Sequence, residues 1–112
     1  MKGQTLKGHL ELLVLSILAT GPQHGYAVIE QLRTRSGDAF DLPEGTVYPV
    51  LHRLERAGLL VSEWSDESGR RRRTYRLSES GRAALVEERS AWEEFTAAVG
   101  SVLKGAAWPT PT

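Results

Sequence analysis

The sequence predicts a mainly helical α+β domain with a small β-hairpin wing and a long C-terminal helix. Three observations predict this class. Apolar residues recur at helical spacing before residue 58, the pattern then changes to two short β-rich segments around an arginine-rich turn, and a seven-residue apolar repeat follows. The chain has 112 residues, of which 40% are hydrophobic and 25% charged, so it is long enough for one globular domain.

Three helices are predicted in the first half of the chain. The first runs from about Leu6 to Ala19, and the second covers about His24 to Arg35. The third runs from Gly45 to Ala57, with Pro49 close enough to its start for the missing backbone donor to be tolerated. The first helix is apolar on nearly every side, which indicates that it is buried on more than one face.

Two strands and a last helix complete the predicted elements. The strands are Leu59–Trp64 and Arg72–Leu77, with a turn at 66–69 between them. Ser78 is the expected N-cap of a helix that extends to about Lys104. Because about 26 helical residues form a rod of roughly 39 Å, a domain of this size cannot cover the whole helix.

This last helix carries a seam typical of a coiled coil. Leu85, Trp92 and Val99 are seven residues apart, and Phe95 and Val102 fill the alternate positions. With the two-sided first helix, the seam predicts a homodimer. The expected interface comprises Leu6, Leu10, Leu13, Leu85, Trp92, Phe95, Val99 and Val102. The expected organisation is a domain of helices and a β-ribbon at 1–78, a dimerisation helix at 79–104 and a flexible tail at 105–112.

Composition excludes several classes of site. The chain has no cysteine, so disulfides and thiolate metal sites are excluded. His9, His24 and His52 have no metal-ligand spacing, and no phosphate-loop, dinucleotide or nucleophile-elbow motif is present. We therefore expect no cofactor and no metal, and a small enzyme is the weakest interpretation.

The N-terminus permits two interpretations. Lys2 and Lys7 followed by the apolar run 12–19 resemble a short secretory signal, although His9 and Glu11 interrupt the approach. The same leucines fit the first helix, and no apolar stretch approaches the length of a membrane span. We expect a cytoplasmic protein with no membrane partner.

Three helices followed by a two-stranded ribbon is the order of a winged helix-turn-helix. In that architecture the helix before the ribbon enters the major groove of DNA, and the ribbon contacts the adjacent backbone. The total charge is balanced, but residues 1–78 carry 11 basic and 9 acidic side chains while residues 79–112 carry 3 and 5. The candidate DNA contacts are Thr46, Tyr48, Pro49, His52 and Arg53 in the third helix, with Arg70, Arg71, Arg72 and Arg73 in the wing.

Alternatives stay open for these residues. Tyr48 fits the DNA-facing side of its helix, but it also fits the core beside Leu51. The wing arginines can bind phosphate or can pair with Asp66 and Glu67 in a solvated hairpin, and alternation along the strand sends two of them to each face. A winged helix used only for protein contact is a further alternative.

Residues 45–64 read GTVYPVLHRLERAGLLVSEW. This run resembles the signature of PadR-like transcriptional regulators, G-[ST]-[LV]-Y-P-x-L-x-R-L-E-x-x-G-L-[LIV]. His24-Gly25-Tyr26 resembles the family's HGY motif, and residues 73–78 with Gly81 resemble its strand-to-helix segment. The wing departs from the pattern, because an arginine run stands where many members have a proline and Thr74 stands where an aromatic residue is common. The resemblance covers about residues 6–104. The chain is similar to the short members of the family, which have one C-terminal helix.

The resemblance implies a homodimeric regulator, usually a repressor, that binds a palindromic double-stranded DNA operator. Members dimerise through their first and last helices, and Tyr48 resembles the tyrosine that faces DNA. In some members, planar aromatic compounds bind between the subunits near the position of Trp92, although plain interface packing is the alternative for this residue. The motif at 24–26 suggests no chemistry, and we interpret Tyr26 as a packing residue. The candidate effector-binding residues are Leu12, Ser16, Arg89, Trp92 and Thr96.

Overall fold

The computed structural model describes residue 6, residues 8–67 and residues 69–105. The elements, in chain order, are α1 (Leu10–Leu18), β1 (Gln23–His24), α2 (Gly25–Arg35), α3 (Glu44–Arg56), β2 (Leu60–Glu67), β3 (Arg70–Leu77) and α4 (Glu79–Lys104). The predicted helical fold with a β wing and a long last helix is confirmed. The predicted tail 105–112 falls outside the described residues from position 106 onward.

A turn interrupts the helix predicted from Leu6 to Ala19. Residues 8 and 9 form a turn, in which the His9 N–H donates to the Leu6 carbonyl at 2.9 Å, and α1 starts at Leu10. His9 has φ −122° and ψ 0°, outside helical geometry, and Gly8 beside it is a poor helix former. Apolar spacing alone did not reveal this interruption.

The core lies where the first three helices meet the sheet. It comprises Leu10, Val14, Leu15, Ile17, Leu18, Val28, Leu32, Val47, Val50, Leu51, Leu54, Leu60, Tyr75 and Leu77. Leu6 and Leu10 are only 8% and 3% exposed within the single chain. These two predicted interface residues therefore belong to the chain's own core, and Leu13 is partly buried against it.

The sheet has three antiparallel strands in the order β1-β3-β2. Sequence analysis predicted only two strands, because the two residues of β1 are too few to show alternation. In β1, Gln23 pairs with Tyr75 and His24 with Thr74. The two wing strands are longer than predicted, since their register runs without interruption from Leu60↔Leu77 to the pair 67↔70.

The start of α4 is held by Ser78, as predicted. Its hydroxyl accepts from the Gly81 N–H at 3.0 Å and donates to the Gly58 carbonyl at 2.6 Å. Gly81 is required here, because a Cβ at this position would collide with the Leu59 carbonyl. Beyond Leu85 the helix leaves the core, and the molecule measures 59 × 31 × 20 Å. Among the residues that the structure describes, none of the helices combines the length and the hydropathy needed to span a bilayer.

Candidate nucleic-acid interface

A groove of about 800 Å³ lies between the start of α2, the outer side of α3 and the wing. We call it the basic groove. It is lined by His24, Gly25, Tyr26, Tyr48, His52, Trp64, Arg70, Arg71, Arg72, Arg73 and Tyr75. The fold thus brings the α3 candidates Tyr48 and His52 together with all four wing arginines. The other α3 candidates, Thr46, Pro49 and Arg53, line a neighbouring cavity with Leu6, Leu10 and Leu42.

Tyr48 combines both of the roles considered for it. Its ring is partly buried against the core, while its hydroxyl lies in the basic groove beside Gly25. The ring centroid is 6.2 Å from that of His52. Burial, with a smaller contribution from Glu44, raises the pKa of the Tyr48 phenol. The hydroxyl is therefore protonated at neutral pH and is available as a hydrogen-bond donor.

The four wing arginines divide between the two faces of β3. The guanidinium carbons of Arg71 and Arg73 lie 5.0 and 5.5 Å from the centroid of a Trp64 ring, within the range of cation–π attraction. Arg72 points the other way, with Nη1 2.8 Å from His24 Nε2. The alternation expected from the sequence is present, and Trp64 holds two of the cations in place.

Arg73 also joins the wing to the recognition helix. Its Nε donates to the Ser62 hydroxyl at 2.7 Å, and its Nη2 lies 3.4 Å from the Glu55 carboxylate. The Ser62 hydroxyl donates to that same carboxylate. The bond from Ser62 and then the Arg73 guanidinium lower the pKa of Glu55. Arg73 thus has a structural partner 18 residues away, which its place in an arginine run did not indicate.

Arg53 is similarly engaged. Its Nε donates to Glu11 Oε1 at 2.9 Å, which joins α3 to α1 outside the lining of the basic groove. Both side chains are about half exposed, so the pair exchanges readily with solvent or another anion. The partners are 42 residues apart, and no local pattern in the sequence predicted the contact.

Sequence reasoning missed five residues of the groove lining: His24, Gly25, Tyr26, Trp64 and Tyr75. His24 caps α2, because its Nδ1 accepts from the Ala27 N–H at 3.2 Å, and its other ring nitrogen faces the wing. Tyr26 is 56% exposed at the groove, so the interpretation of this tyrosine as a packing residue was wrong. The available signal was the position of the 24–26 motif at a helix start.

A family comparison identifies this arrangement. The model of the transcriptional regulator PadR-like family matches residues 14–87, which include α2, α3 and both wing strands. The chain belongs to the PadR-like family. Members of this family are DNA-binding transcriptional regulators and not enzymes.

Individual relatives agree with this assignment. Transcriptional regulator Rv3488 of Mycobacterium tuberculosis is 44% identical over 86 residues, which cover 77% of this chain and 78% of that protein. A PadR family regulator from Eggerthella lenta has a TM-score of 0.80 and 33% identity, over 92% of this chain and 88% of that one. A PadR-like regulator from Bacillus cereus has a TM-score of 0.82 and 28% identity, over 93% and 100%.

A second cavity in this PadR-like regulator, of about 400 Å³, surrounds Trp92. It is lined by Gly8, His9, Glu11, Leu12, Arg53, Glu88, Ala91, Trp92 and Phe95. The His9 ring meets the Trp92 indole edge-on, with centroids 4.7 Å apart. Burial raises the pKa of Glu88, and the neighbouring carboxylates of Glu11 and Glu87 add to the effect.

The predicted effector residues are only partly gathered there in the single chain. Leu12 and Trp92 line the cavity together, whereas Ser16 lines a separate cavity with Leu32 and Phe40. Arg89 is ion-paired with Glu93 at 3.2 Å. The Thr96 hydroxyl donates to the backbone carbonyl of residue 92 at 2.9 Å, which occupies its proton within the helix.

Proposed function

We propose that this chain is a homodimeric repressor that binds a palindromic double-stranded operator and releases it when a planar aromatic molecule binds near Trp92. The observation that carries the DNA-binding part is the basic groove. It places four arginines of the wing beside the exposed side of α3, where a phosphate backbone can follow a helix seated in the major groove.

In this proposal each part of the interface has a separate task. The α3 residues Thr46, Tyr48, Pro49 and His52 contact base edges and adjacent sugars, while Arg70, Arg71 and Arg72 neutralise phosphates. Arg53 joins them by exchanging the half-exposed Glu11 carboxylate for a phosphate oxygen, since a guanidinium forms charge-assisted hydrogen bonds with either anion. Arg73 contributes mainly by holding the wing against α3.

The exposed face of α4 supports the dimer. Trp92, Phe95, Val99 and Val102 are all exposed on this helix, and Phe95 is 59% and Val102 74% accessible. Soluble monomers rarely expose a continuous apolar face of this length. A two-fold axis along α4 would cover it, with Leu13 and Leu85 at the margins, and would present two copies of α3 to inverted DNA half-sites.

The proposed effector site is the cavity around Trp92. Flat aromatic faces bind flat apolar ligands by stacking, and the indole is 38% exposed with Phe95 6.3 Å away. Arg53 lines this cavity and also lies on the recognition helix. A ligand that displaces the Arg53–Glu11 pair would therefore act on α3 directly, and this contact is the proposed link between effector and operator.

The test begins with selection of genomic fragments by the purified protein, followed by titration of a recovered fragment at several salt concentrations. We expect an inverted repeat and a steep salt dependence. The double variant Arg71→Ala with Arg72→Ala should reduce the salt slope by about two units, because each lost phosphate contact removes nearly one. Arg35→Ala removes a charge outside the groove and should leave the slope unchanged. Failure to recover any fragment, or an unchanged slope in the double variant, would contradict the proposal.

A further inference from the structure

His24 is placed between the cap of α2 and the wing, and each of its ring nitrogens faces a donor. Nδ1 accepts from the Ala27 N–H at 3.2 Å, and Nε2 lies 2.8 Å from Arg72 Nη1. A neutral imidazole has one accepting nitrogen and one that carries a proton, and a guanidinium only donates. The two contacts cannot both be hydrogen bonds.

The cap decides which nitrogen accepts. The Ala27 N–H belongs to the first turn of α2, where the backbone has no intrahelical acceptor, and it cannot turn away. The Arg72 guanidinium, by contrast, is at the end of a flexible side chain and can move. Nδ1 is therefore the acceptor, and Nε2 carries the proton. The Nε2–H and an Arg72 N–H then point into the same space with no acceptor for the Nε2–H among the described residues.

Two donors that converge in a cationic groove form an anion-binding site. The walls around them carry Arg70, Arg71 and the Tyr48 hydroxyl, and Asp or Glu side chains are absent from the groove lining in the described part of the chain. A phosphate oxygen accepts from several donors at once, and a guanidinium binds phosphate through short charge-assisted hydrogen bonds. We propose that His24 Nε2 and Arg72 together bind one phosphodiester of the operator backbone.

The proposal extends the proposed function, because it rests on DNA binding at the basic groove. It assigns a new DNA contact to His24 and predicts that β1 is an active part of the interface. The pairing of His24 with Thr74 places the imidazole two residues from Arg72 along β3, on the same side of that strand. Both donors thus move with the sheet as one unit.

Two variants separate the phosphate contact from the helix cap. His24→Asn keeps an acceptor at the position of Nδ1, and Asn is among the best N-cap residues, but it lacks a donor at the reach of Nε2. His24→Ala removes both functions. We expect His24→Asn to bind operator about tenfold more weakly with an unchanged melting temperature, since it loses one hydrogen bond to a charged group. His24→Ala should lose the same affinity and also melt at a lower temperature.

The shared phosphate is tested by replacing operator phosphates one at a time with neutral methylphosphonates. At one phosphate, methylphosphonate substitution should weaken binding of the wild type but not of Arg72→Ala. At that same phosphate, the substitution should weaken binding of His24→Asn less than it weakens binding of the wild type. Their combination should cost less than the product of the single losses, because both donors serve one phosphate. This inference alone would be overturned if His24→Asn bound the operator as tightly as the wild type. It would also be overturned if His24→Asn were less sensitive to methylphosphonate at a phosphate other than the one identified with Arg72→Ala. Absence of wild-type binding to any selected fragment would overturn the proposed function.

Discussion

The ring of Tyr48 lies directly over Gly25 and leaves no room for a side chain there. A Cβ at residue 25 would be 2.7 Å from the Cε1 atom of the tyrosine and 2.8 Å from its hydroxyl oxygen. Contacts this short are not tolerated, so the first residue of α2 determines where the tyrosine of the recognition helix stands in the basic groove. Glycine is required here for close approach and not for an unusual backbone angle.

Gly25→Ala should therefore weaken operator binding by about tenfold, because it displaces the Tyr48 hydroxyl from its contact. The free energy of unfolding should change by no more than about 1 kcal/mol, since the ring can swing outward and alanine favours the helix. Titration of operator and urea unfolding measure the two effects. Gly100→Ala is the matched control, because its Cβ would meet nothing within 4 Å. Wild-type affinity in Gly25→Ala would contradict the placement of Tyr48.

Tyr48→Phe removes the hydroxyl and keeps the partly buried ring. We expect operator affinity to fall several-fold while the melting temperature stays constant, since the apolar contacts with the core are retained. Because burial raises the pKa of this phenol, it remains protonated up to about pH 9 and its contribution to binding should not vary between pH 6 and 9. A lower melting temperature with unchanged affinity would assign the hydroxyl to the fold instead.

Long periodic segments and local caps made most of this fold predictable. The apolar spacing of α2 and α3 and the N-cap Ser78 depend on residues within a few positions of each other, so they can be read from a single sequence. The signature at 45–64 predicted the recognition helix and the family for the same reason.

Contacts between distant residues could not be predicted in this way. The pairs Arg53–Glu11 and Arg73–Glu55 join segments 42 and 18 residues apart, and each gives a structural partner to an arginine expected to bind DNA. β1 is two residues long, so its pairing with β3 became evident only in the fold. The role of His24 depends on that pairing, which explains why its motif suggested no chemistry in the sequence.

The contact between Glu55, Ser62 and Arg73 predicts a pH-dependent stability. Glu55→Gln should lower the free energy of unfolding by about 1 kcal/mol or less at pH 7, since the ion pair is partly exposed. The pKa of Glu55 is lowered in the fold, so its contribution is present above its unfolded-state pKa and is lost as the pH falls through the folded value. The wild type and the variant should differ at pH 7 and at about pH 5, and converge toward about pH 3.

Urea unfolding at these three pH values measures this effect. Glu63→Gln is the control, because Glu63 is an exposed carboxylate on the neighbouring position of β2. The free energy of unfolding of Glu63→Gln should equal that of the wild type at each of the three pH values. A Glu55→Gln deficit that persists undiminished at about pH 3 would show that the carboxylate charge is not its source.

The apolar face of α4 predicts a dimer in solution. Phe95→Lys should convert it to a monomer at micromolar concentration, because a two-fold interface would bury two unpaired ammonium groups. Glu94→Lys introduces the same side chain one position away, on a face expected to be solvated, and should remain dimeric. Sedimentation equilibrium distinguishes the species. A wild-type chain that sediments as a stable, folded monomer would contradict the proposed interface.

The effector proposal predicts that planar, mostly apolar aromatic molecules quench the fluorescence of Trp92. The indole lines a cavity with Leu12 and is partly exposed, so a flat ligand can stack on it, and a two-fold axis would bring the second indole to the same region. Trp64 and Trp108 also fluoresce, and Trp92→Phe is therefore the necessary control. This variant should lose the response to ligand but retain the dimer, because phenylalanine keeps most of the buried ring area.

Release of labelled operator by the same ligands, in the wild type and not in the variant, would link the cavity to repression. Equal quenching of both proteins, or of neither, would assign Trp92 to packing, since a close-packed dimer axis has no space for a ligand.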